Sequence, residues 1–403
     1  MTVTSHKSVK HPLTGLRVIE ISQQTHGELA GKLLADLGAE VVKVEPKQGA
    51  ASRKVGPFAN GVVSAETSLN FRYYNTNKKS AVIDISQPEG IKALHMLLSD
   101  VDILISSYQP AELKKLALDF PDLLEKFPRL IIVSVTPFGL TGPWADYKSS
   151  DLVSLAAGGP LHQSGYDDHT IPPIRPGGGQ AFHTGTSFAH TGTMLALIDR
   201  QKTGRGQLID IAMHDALSVT IELPFLYWAY NQAPVYRQTC RHAQPTFTQP
   251  TLFLCGDGRY VYYITIVAEQ KMWEAQLEWL KKHDLAADLT DGKFKDPQYR
   301  AENFHHIQNI MECFFLLQNA DDAFREGQEY KLVIGSLYAP EDMLKDPHFK
   351  ARDFFIEVEE KDGSKAIYPG APYRFSAFGP VPRTHAPGLG EHTEATLAAF
   401  KDS

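Results

Sequence analysis

The residues of this chain that could do chemistry gather in and just before one stretch, Gly177 to Asp215. It opens on Gly177-Gly178-Gly179, ahead of a run of small side chains. Backbone amides at a helix start can hold an anion or a thioester oxygen. The same glycines also suit a plain turn after Pro172-Pro173 and Pro176. His183 follows, a lone imidazole among small residues, which fits a packed, hydrogen-bonded side chain better than a base. Carboxylates nearby are few. Asp151 heads the segment DLVSLAAG, where it suits a plain helix N-cap. Asp167 and Asp168 fall in a polar loop. Cys240, Cys255 and Cys313 are widely spaced and odd in number. They give no zinc spacing and no disulfide framework, and read as buried thiols in a reducing compartment. No metal site is expected.

The elements that must position these groups follow from the apolar pattern. At 403 residues the chain is long enough for two domains and a large core. Residues 17–22, 40–45, 80–85, 101–108 and 130–135 read as strands. Residues 27–37 and 88–100 read as helices between them, the latter with Pro88 at its start. Strand–helix–strand alternation predicts right-handed crossovers and a mainly parallel sheet, an α/β Rossmann-like domain over 1–232. The first strand leads into Gln23-Gln24-Thr25-His26-Gly27, which is not a dinucleotide fingerprint, so NAD binding is disfavoured. Residues 183–200 form a small-residue helix for a crowded centre. Residues 207–213 follow as a strand and 214–231 as one long apolar helix. Phe225, Tyr227, Trp228 and Tyr230 there suit either an aromatic pocket or burial. Pro, Gln, Thr and Arg dominate 233–249, a linker. Strands at 251–255 and 260–266 flank Gly256-Asp257-Gly258, a hairpin signature. With helices near 268–283 and 297–317 they make a smaller α/β domain over 250–333.

Formal net charge is −7, from 40 basic and 47 acidic residues, well mixed. This argues against non-specific nucleic-acid binding. The segment MTVTSHKSVK lacks an apolar signal core, and no stretch has the length of a membrane span. The expectation is a cytoplasmic protein.

Thr203-Gly204-Arg205-Gly206-Gln207 and Met213-His214-Asp215, with HPLTGLRVIEIS, ADLGAEVVKVEP, NTNKKSAVIDI, SVTPFGLTGP, LKDPHFKARDFF and APGLGEHTEATL in order along the chain, resemble the family III CoA-transferases. The α-methylacyl-CoA racemases are cousins of that family. The resemblance implies that residues 334–403 return to complete the large domain, and that two chains thread through one another as linked rings. It implies coenzyme A, as an acyl-CoA substrate, against Lys47, Lys78 and Lys115. Gln24 and Thr25 would lie at the pantetheine, Tyr108 at the adenine, and Thr136 and Phe138 along the channel. It also implies a catalytic aspartate upstream of the TGRGQ turn. Counting back lands on Ala181, with Gln180 and Phe182 on either side. No register supplies a carboxylate, so no catalytic residue is assigned.

That departure bears on chemistry. In the family a carboxylate attacks the donor thioester to give a mixed anhydride and CoA thiolate. The thiolate returns to make an enzyme-bound thioester, and the acceptor acid then displaces the enzyme carboxylate. Only Asp or Glu can carry an acyl group this way. The racemase acid/base positions read Ser150 and Ala181, neither able to move a proton from carbon. The favoured expectation is a non-catalytic subunit of a heteromer, partnered by a homologous chain that carries the aspartate. The two-component succinyl-CoA:benzylsuccinate CoA-transferase of anaerobic toluene degradation is the example. A homodimeric acyl-CoA lyase or isomerase, a CoA-binding module without turnover, and an engineered knock-out of an ordinary transferase stay open.

Overall fold

The computed structural model describes residues 11–264 and 269–399. The apolar runs near the start form β1 (Arg17–Glu20), β2 (Glu40–Glu45), β3 (Lys79–Val82), β4 (Ile103–Ser106), β5 (Ile131–Thr136) and β6 (Leu208–Ala212). They make a six-stranded sheet in the order β3-β2-β1-β4-β5-β6, every pairing parallel. A parallel sheet is covered on both faces, so its central strands are largely apolar and buried. Ile-Ile-Val-Ser-Val-Thr of β5 is buried at every position.

The helices of this region are α1 (Thr25–Ala35), α2 (Leu69–Tyr74), α3 (Pro88–Leu98), α4 (Pro110–Lys115), α5 (Phe120–Lys126), α6 (Asp151–Ala157), α7 (Gln180–Thr203), α8 (Met213–Val219) and α9 (Glu222–Asn231). Proline stands in the first turn of α3, α4 and α5, where no intrahelical N–H is needed. Ser68, Asp119 and Ser150 cap α2, α5 and α6 by accepting the amides of Phe71, Asp122 and Val153. α7 buries a stripe of small residues, among them Ala181, Gly185, Ala189 and Ala196. It ends at Gly204, whose φ of +72° suits a residue without a Cβ. A Cβ at Gly206 would lie 1.9 Å from the Leu130 carbonyl oxygen, so the TGRGQ turn needs both glycines.

The expected long helix at 214–231 is broken between α8 and α9. Pro224 has no N–H to donate and its ring crowds the carbonyl of residue 220, which ends α8 there. Phe225, Trp228 and Tyr230 on α9 are exposed, at 65%, 56% and 82%, so this stretch is neither a buried helix nor a closed aromatic pocket.

The chain divides into two compact units, one of residues 1–162, 175–225 and 350–403, the other of 163–174 and 226–349. The boundaries therefore differ from the expected 1–232 and 250–333, and a short segment before α7 joins the second unit. The expected linker is partly ordered, since β7 (Tyr236–Gln238) and β8 (Arg241–Gln244) pair as a hairpin. The second unit has the antiparallel sheet β9 (Leu252–Leu254), β10 (Tyr260–Tyr263) and β11 (Ile334–Ser336). The end of the expected strand at 265–266, and residue 268 ahead of the next helix, lie outside the described residues. Around this sheet are α10 (Gln270–Lys282), α11 (Pro297–Glu302), α12 (Phe304–Leu316), α13 (Ala320–Glu329) and α14 (Pro340–Met343). Their core holds Phe253, Tyr263, Trp279, Phe314 and Phe315. After α15 (Pro347–Ala351), the strands β12 (Phe355–Glu359) and β13 (Lys365–Pro369) form a hairpin, and α16 (Thr393–Ala399) closes on β3. Only Cys255 of the three free thiols is buried; Cys240 and Cys313 are exposed. Among the described residues no helix is long and apolar enough to cross a membrane.

Candidate functional site

Strand order reverses between β1 and β4, and loops leaving such a reversal part to open a crevice. Gln23, Gln24 and Thr25 follow β1, and Tyr108 follows β4. A cavity of about 300 Å³ lies here, lined by Gln23, Glu45, Asp84, Ser86, Tyr108 and Leu116. The Tyr108 amide donates to Ser106 Oγ at 3.2 Å, and burial pushes the phenol pKa up. Hydrogen bonds from Ser86 hold the Asp84 carboxyl below its usual range, with Lys47 adding a smaller pull. Lys47 and Lys115 are both exposed beside this cavity, next to its lining residues Pro46, Gln48 and Leu116.

A second cavity, of about 520 Å³, shares Gln23 as a wall and continues past Gln24 and Thr25 to the start of α7. Its far side carries Ser52, Asn70, Tyr74, Arg175 and Phe182. Thr25 Oγ1 donates to Asn70 Oδ1 at 3.4 Å. Tyr74 Oη and His183 Nε2 are 3.2 Å apart. Burial lowers the His183 pKa and raises that of Tyr74 to about 12. His183 is thus a half-buried, hydrogen-bonded side chain kept neutral near pH 7.

Ala181 is fully buried, with its methyl against Leu155 and Leu217. Its amide donates to Asp151 Oδ1 at 2.9 Å. The other oxygen of Asp151 accepts from Arg175 Nε at 3.0 Å and Nη2 at 2.8 Å. Asp151 is therefore not the cap of its own helix, since Ser150 fills that place; it reaches across to the first turn of α7. Negative charge there is favoured by the helix dipole. Gly178 and Gly179 line the cavity mouth with φ of +82° and +66°. Among the described residues no Asp or Glu lines this cavity.

Lys78 stands elsewhere than expected. Its ammonium is buried and donates to Glu20 Oε2 at 2.7 Å, the Glu28 carbonyl at 2.7 Å and Asn75 Oδ1 at 2.8 Å. An ammonium has three protons, so these partners leave none for a phosphate. Lys43 Nζ completes the group, 2.9 Å from both Glu20 Oε1 and Glu28 Oε1 and 2.7 Å from the Ser22 carbonyl. Burial alone would lower the Lys43 pKa, but Glu20, Glu28 and Glu45 outweigh it and hold it high. Ser52, on the cavity wall, donates to Glu28. Lys78 thus sits in a buried ion network beneath α1. Thr136 is also corrected. It is fully buried at the end of β5 and lines neither cavity, because β5 is an interior strand covered on both faces. Phe138 packs instead against Trp144, Tyr147 and His214.

Gln24, Thr25 and Tyr108 are brought together at the crevice, with Lys47 and Lys115 at its outer rim. Sequence reasoning missed Ser52, Asn70, Tyr74 and Arg175. Only Arg175 had a signal, as the one basic residue in the run Pro172–Gly179. Among the described residues no group of three or more His, Cys, Asp and Glu gathers to hold a metal.

A model of CoA-transferase family III matches residues 13–393. A relative from Thauera aromatica, succinyl-CoA:(R)-benzylsuccinate CoA-transferase subunit BbsE, is 30% identical over 387 residues, covering 94% of this chain and 92% of its own length. Succinyl-CoA–D-citramalate CoA-transferase of Chloroflexus aurantiacus is 29% identical, with coverage of 94% and 92%. The α subunit of succinyl-CoA–L-malate CoA-transferase of Chloroflexus aurantiacus is 27% identical, with coverage of 97% and 89%. The crystal structure of a CAIB/BAIF family protein from Brucella suis superposes with a TM-score of 0.82 at 26% identity, over 97% of this chain and all of that one.

Proposed function

The chain belongs to CoA-transferase family III, whose members move CoA between an acyl-CoA and a carboxylic acid, and from that membership we propose that it is the subunit of a heteromer that lacks the nucleophile. The observation that carries this reading is Ala181. It stands where the family's aspartate is expected, its methyl is sealed among leucines, and among the described residues no carboxylate lines the adjoining cavity. Without a carboxylate there is no mixed anhydride and no covalent turnover. A homologous sister chain supplies the aspartate, and this chain supplies half of an interlocked scaffold. Subunit names among the relatives agree with a multi-chain enzyme. By analogy with BbsE, the donor is an acyl-CoA such as succinyl-CoA and the acceptor an acid such as benzylsuccinate.

Coenzyme A would lie with its adenine against Tyr108 in the smaller cavity. Its phosphates would meet Lys47 and Lys115 at the exposed rim. The pantetheine would pass Gln23, Gln24 and Thr25 into the larger cavity. Lys78 has no part in this path. Cations at the carboxyl edge of a parallel sheet suit a nucleotide's phosphates.

The test is to express the full chain alone and with a sister of similar length bearing the aspartate, then treat each with acyl-CoA and hydroxylamine. The expected result is no labelled carboxyl on this chain, turnover only in the co-expressed assembly, and poor solubility of the lone chain because folding and assembly are coupled. Ala181→Asp should restore little, since the new carboxylate would enter an apolar cluster beside Asp151. A hydroxamate on the lone polypeptide, or a well-behaved active homodimer, would overturn the reading.

A further inference from the structure

We infer that Arg175 anchors the distal carboxylate of a dicarboxylic acyl group, so that this chain selects acyl-CoAs ending in a negative charge. The inference rests on the proposal that the larger cavity receives acyl-CoA. It goes beyond it by naming the residue that would select for a terminal carboxylate.

Arg175 is half-exposed on the cavity wall, with 50% of its side chain accessible, whereas the Asp151 side chain opposite is 5% accessible. Nε and Nη2 are both fixed on Asp151 Oδ2. Nη1 makes no hydrogen bond to any described residue. A guanidinium held by one edge keeps its remaining N–H groups in a fixed direction, which suits a carboxylate. Asp151 in turn is locked by the Ala181 amide, so the pair is a rigid mount rather than a swinging surface arginine. Two neutral groups lie on the same wall. Asn70 accepts from Thr25 through Oδ1, which leaves its amide nitrogen as a donor, and Tyr74 presents its hydroxyl. Among the described residues, Arg175 is the only charged side chain on this lining.

One edge of the Arg175 guanidinium is taken by the buried Asp151 carboxylate, and the half-exposed side chain keeps its Nη1 N–H groups toward the cavity, where a substrate carboxylate can accept them. An acyl group ending in methyl would leave the Arg175 N–H groups unpaired as water is expelled, which costs affinity. Arg175 thus discriminates by charge at the far end of the acyl chain, away from the thioester.

Calorimetry on the full chain, in the assembly in which it purifies, tests this with three probes: CoA, succinyl-CoA and butyryl-CoA. The last two share a four-carbon chain and differ in a terminal carboxylate against a methyl. The native protein is expected to favour succinyl-CoA by roughly ten- to a hundredfold, the value of one charge-assisted contact. Arg175→Gln should bring that ratio close to one while CoA itself still binds. Arg175→Lys keeps the charge but loses the planar fork, and should lose part of the ratio; this variant decides if Arg175→Gln does not fold. A native ratio near one, or a ratio unchanged in both variants, overturns the assignment of Arg175 alone. Failure of the native protein to bind any of the three probes overturns the acyl-CoA cavity, and this inference with it.

Discussion

Beneath α1 the larger unit buries Glu20, Glu28, Lys43 and Lys78 as one ion network. The smaller unit buries Trp279, Tyr263, Phe253, Phe314 and Phe315. Its fully buried arginine, Arg300, donates to the Phe294 and Lys295 carbonyls and to Gln270. The difference matters because apolar packing tolerates small changes, whereas a buried charge that loses its partner is costly. The network also touches the loops of the candidate site. Lys43 holds the Ser22 carbonyl just before Gln23, and Glu28 holds Ser52 on the cavity wall. In the larger unit, then, the same charges that stabilise the sheet edge shape the place where ligand is expected.

The contrast can be broken most directly at Lys43. Lys43→Met leaves Glu20 and Glu28 sharing a dry site with one cation fewer, and should cost about 3–5 kcal/mol in urea unfolding. A loss below about 1 kcal/mol would show that the network is not what holds this edge. The next largest effect is expected from pH. His26, on α1, is fully buried and packed against Phe182, and burial lowers its pKa to about 4. Its unfolded value is near 6.5. Between these values the unfolded chain binds a proton that the folded chain refuses. The contribution of His26 is therefore complete above about pH 6.5 and lost as pH falls toward 4, a change of roughly 3 kcal/mol. Thermal unfolding from pH 7 to 4.5 should show this slope, and His26→Gln should flatten it.

The smaller unit sharpens the comparison from the other side. Ile307→Val removes one buried methyl group and should cost about 0.5–1.5 kcal/mol. CoA binding, followed by calorimetry, should not change. The smallest effect belongs to Lys79, whose exposed pair with Glu40 should contribute less than about 1 kcal/mol, so Lys79→Ala should leave the urea midpoint nearly in place.

Local chemistry was legible in the sequence where it depended on neighbours along the chain. The run Ile131–Thr136, the proline-led helices and the TGRGQ turn all follow from spacing and residue type. Pro224 was equally visible, yet the apolar length of 214–231 masked it as a break. What failed was anything decided by a partner far along the chain. Lys78 reads as a coenzyme A contact, by the resemblance, until the fold brings it to Glu20, 58 residues away. Asp151 reads as a cap for its own helix until it meets the amide of Ala181. Arg175 had the right charge in a telling place, but only the cavity gives it a direction.

The edge of the parallel sheet carries one more consequence, for the time during which the protein is being made. β3 is an outer strand, and its free side is covered by the far end of the chain. The Ser80 carbonyl accepts the His392 amide at 2.8 Å, and the Val82 amide donates to Thr393 Oγ1 at 2.9 Å. Val82 and Thr393 are separated by 311 residues. At the usual speed of a ribosome, about 5–20 residues per second, the edge waits for its cover for roughly 15–60 s. Throughout that interval the nascent sheet offers an open row of backbone donors and acceptors to any strand that passes, including one from a neighbouring nascent chain. Slowed translation between β3 and α16 should lengthen this exposure and lower the soluble yield.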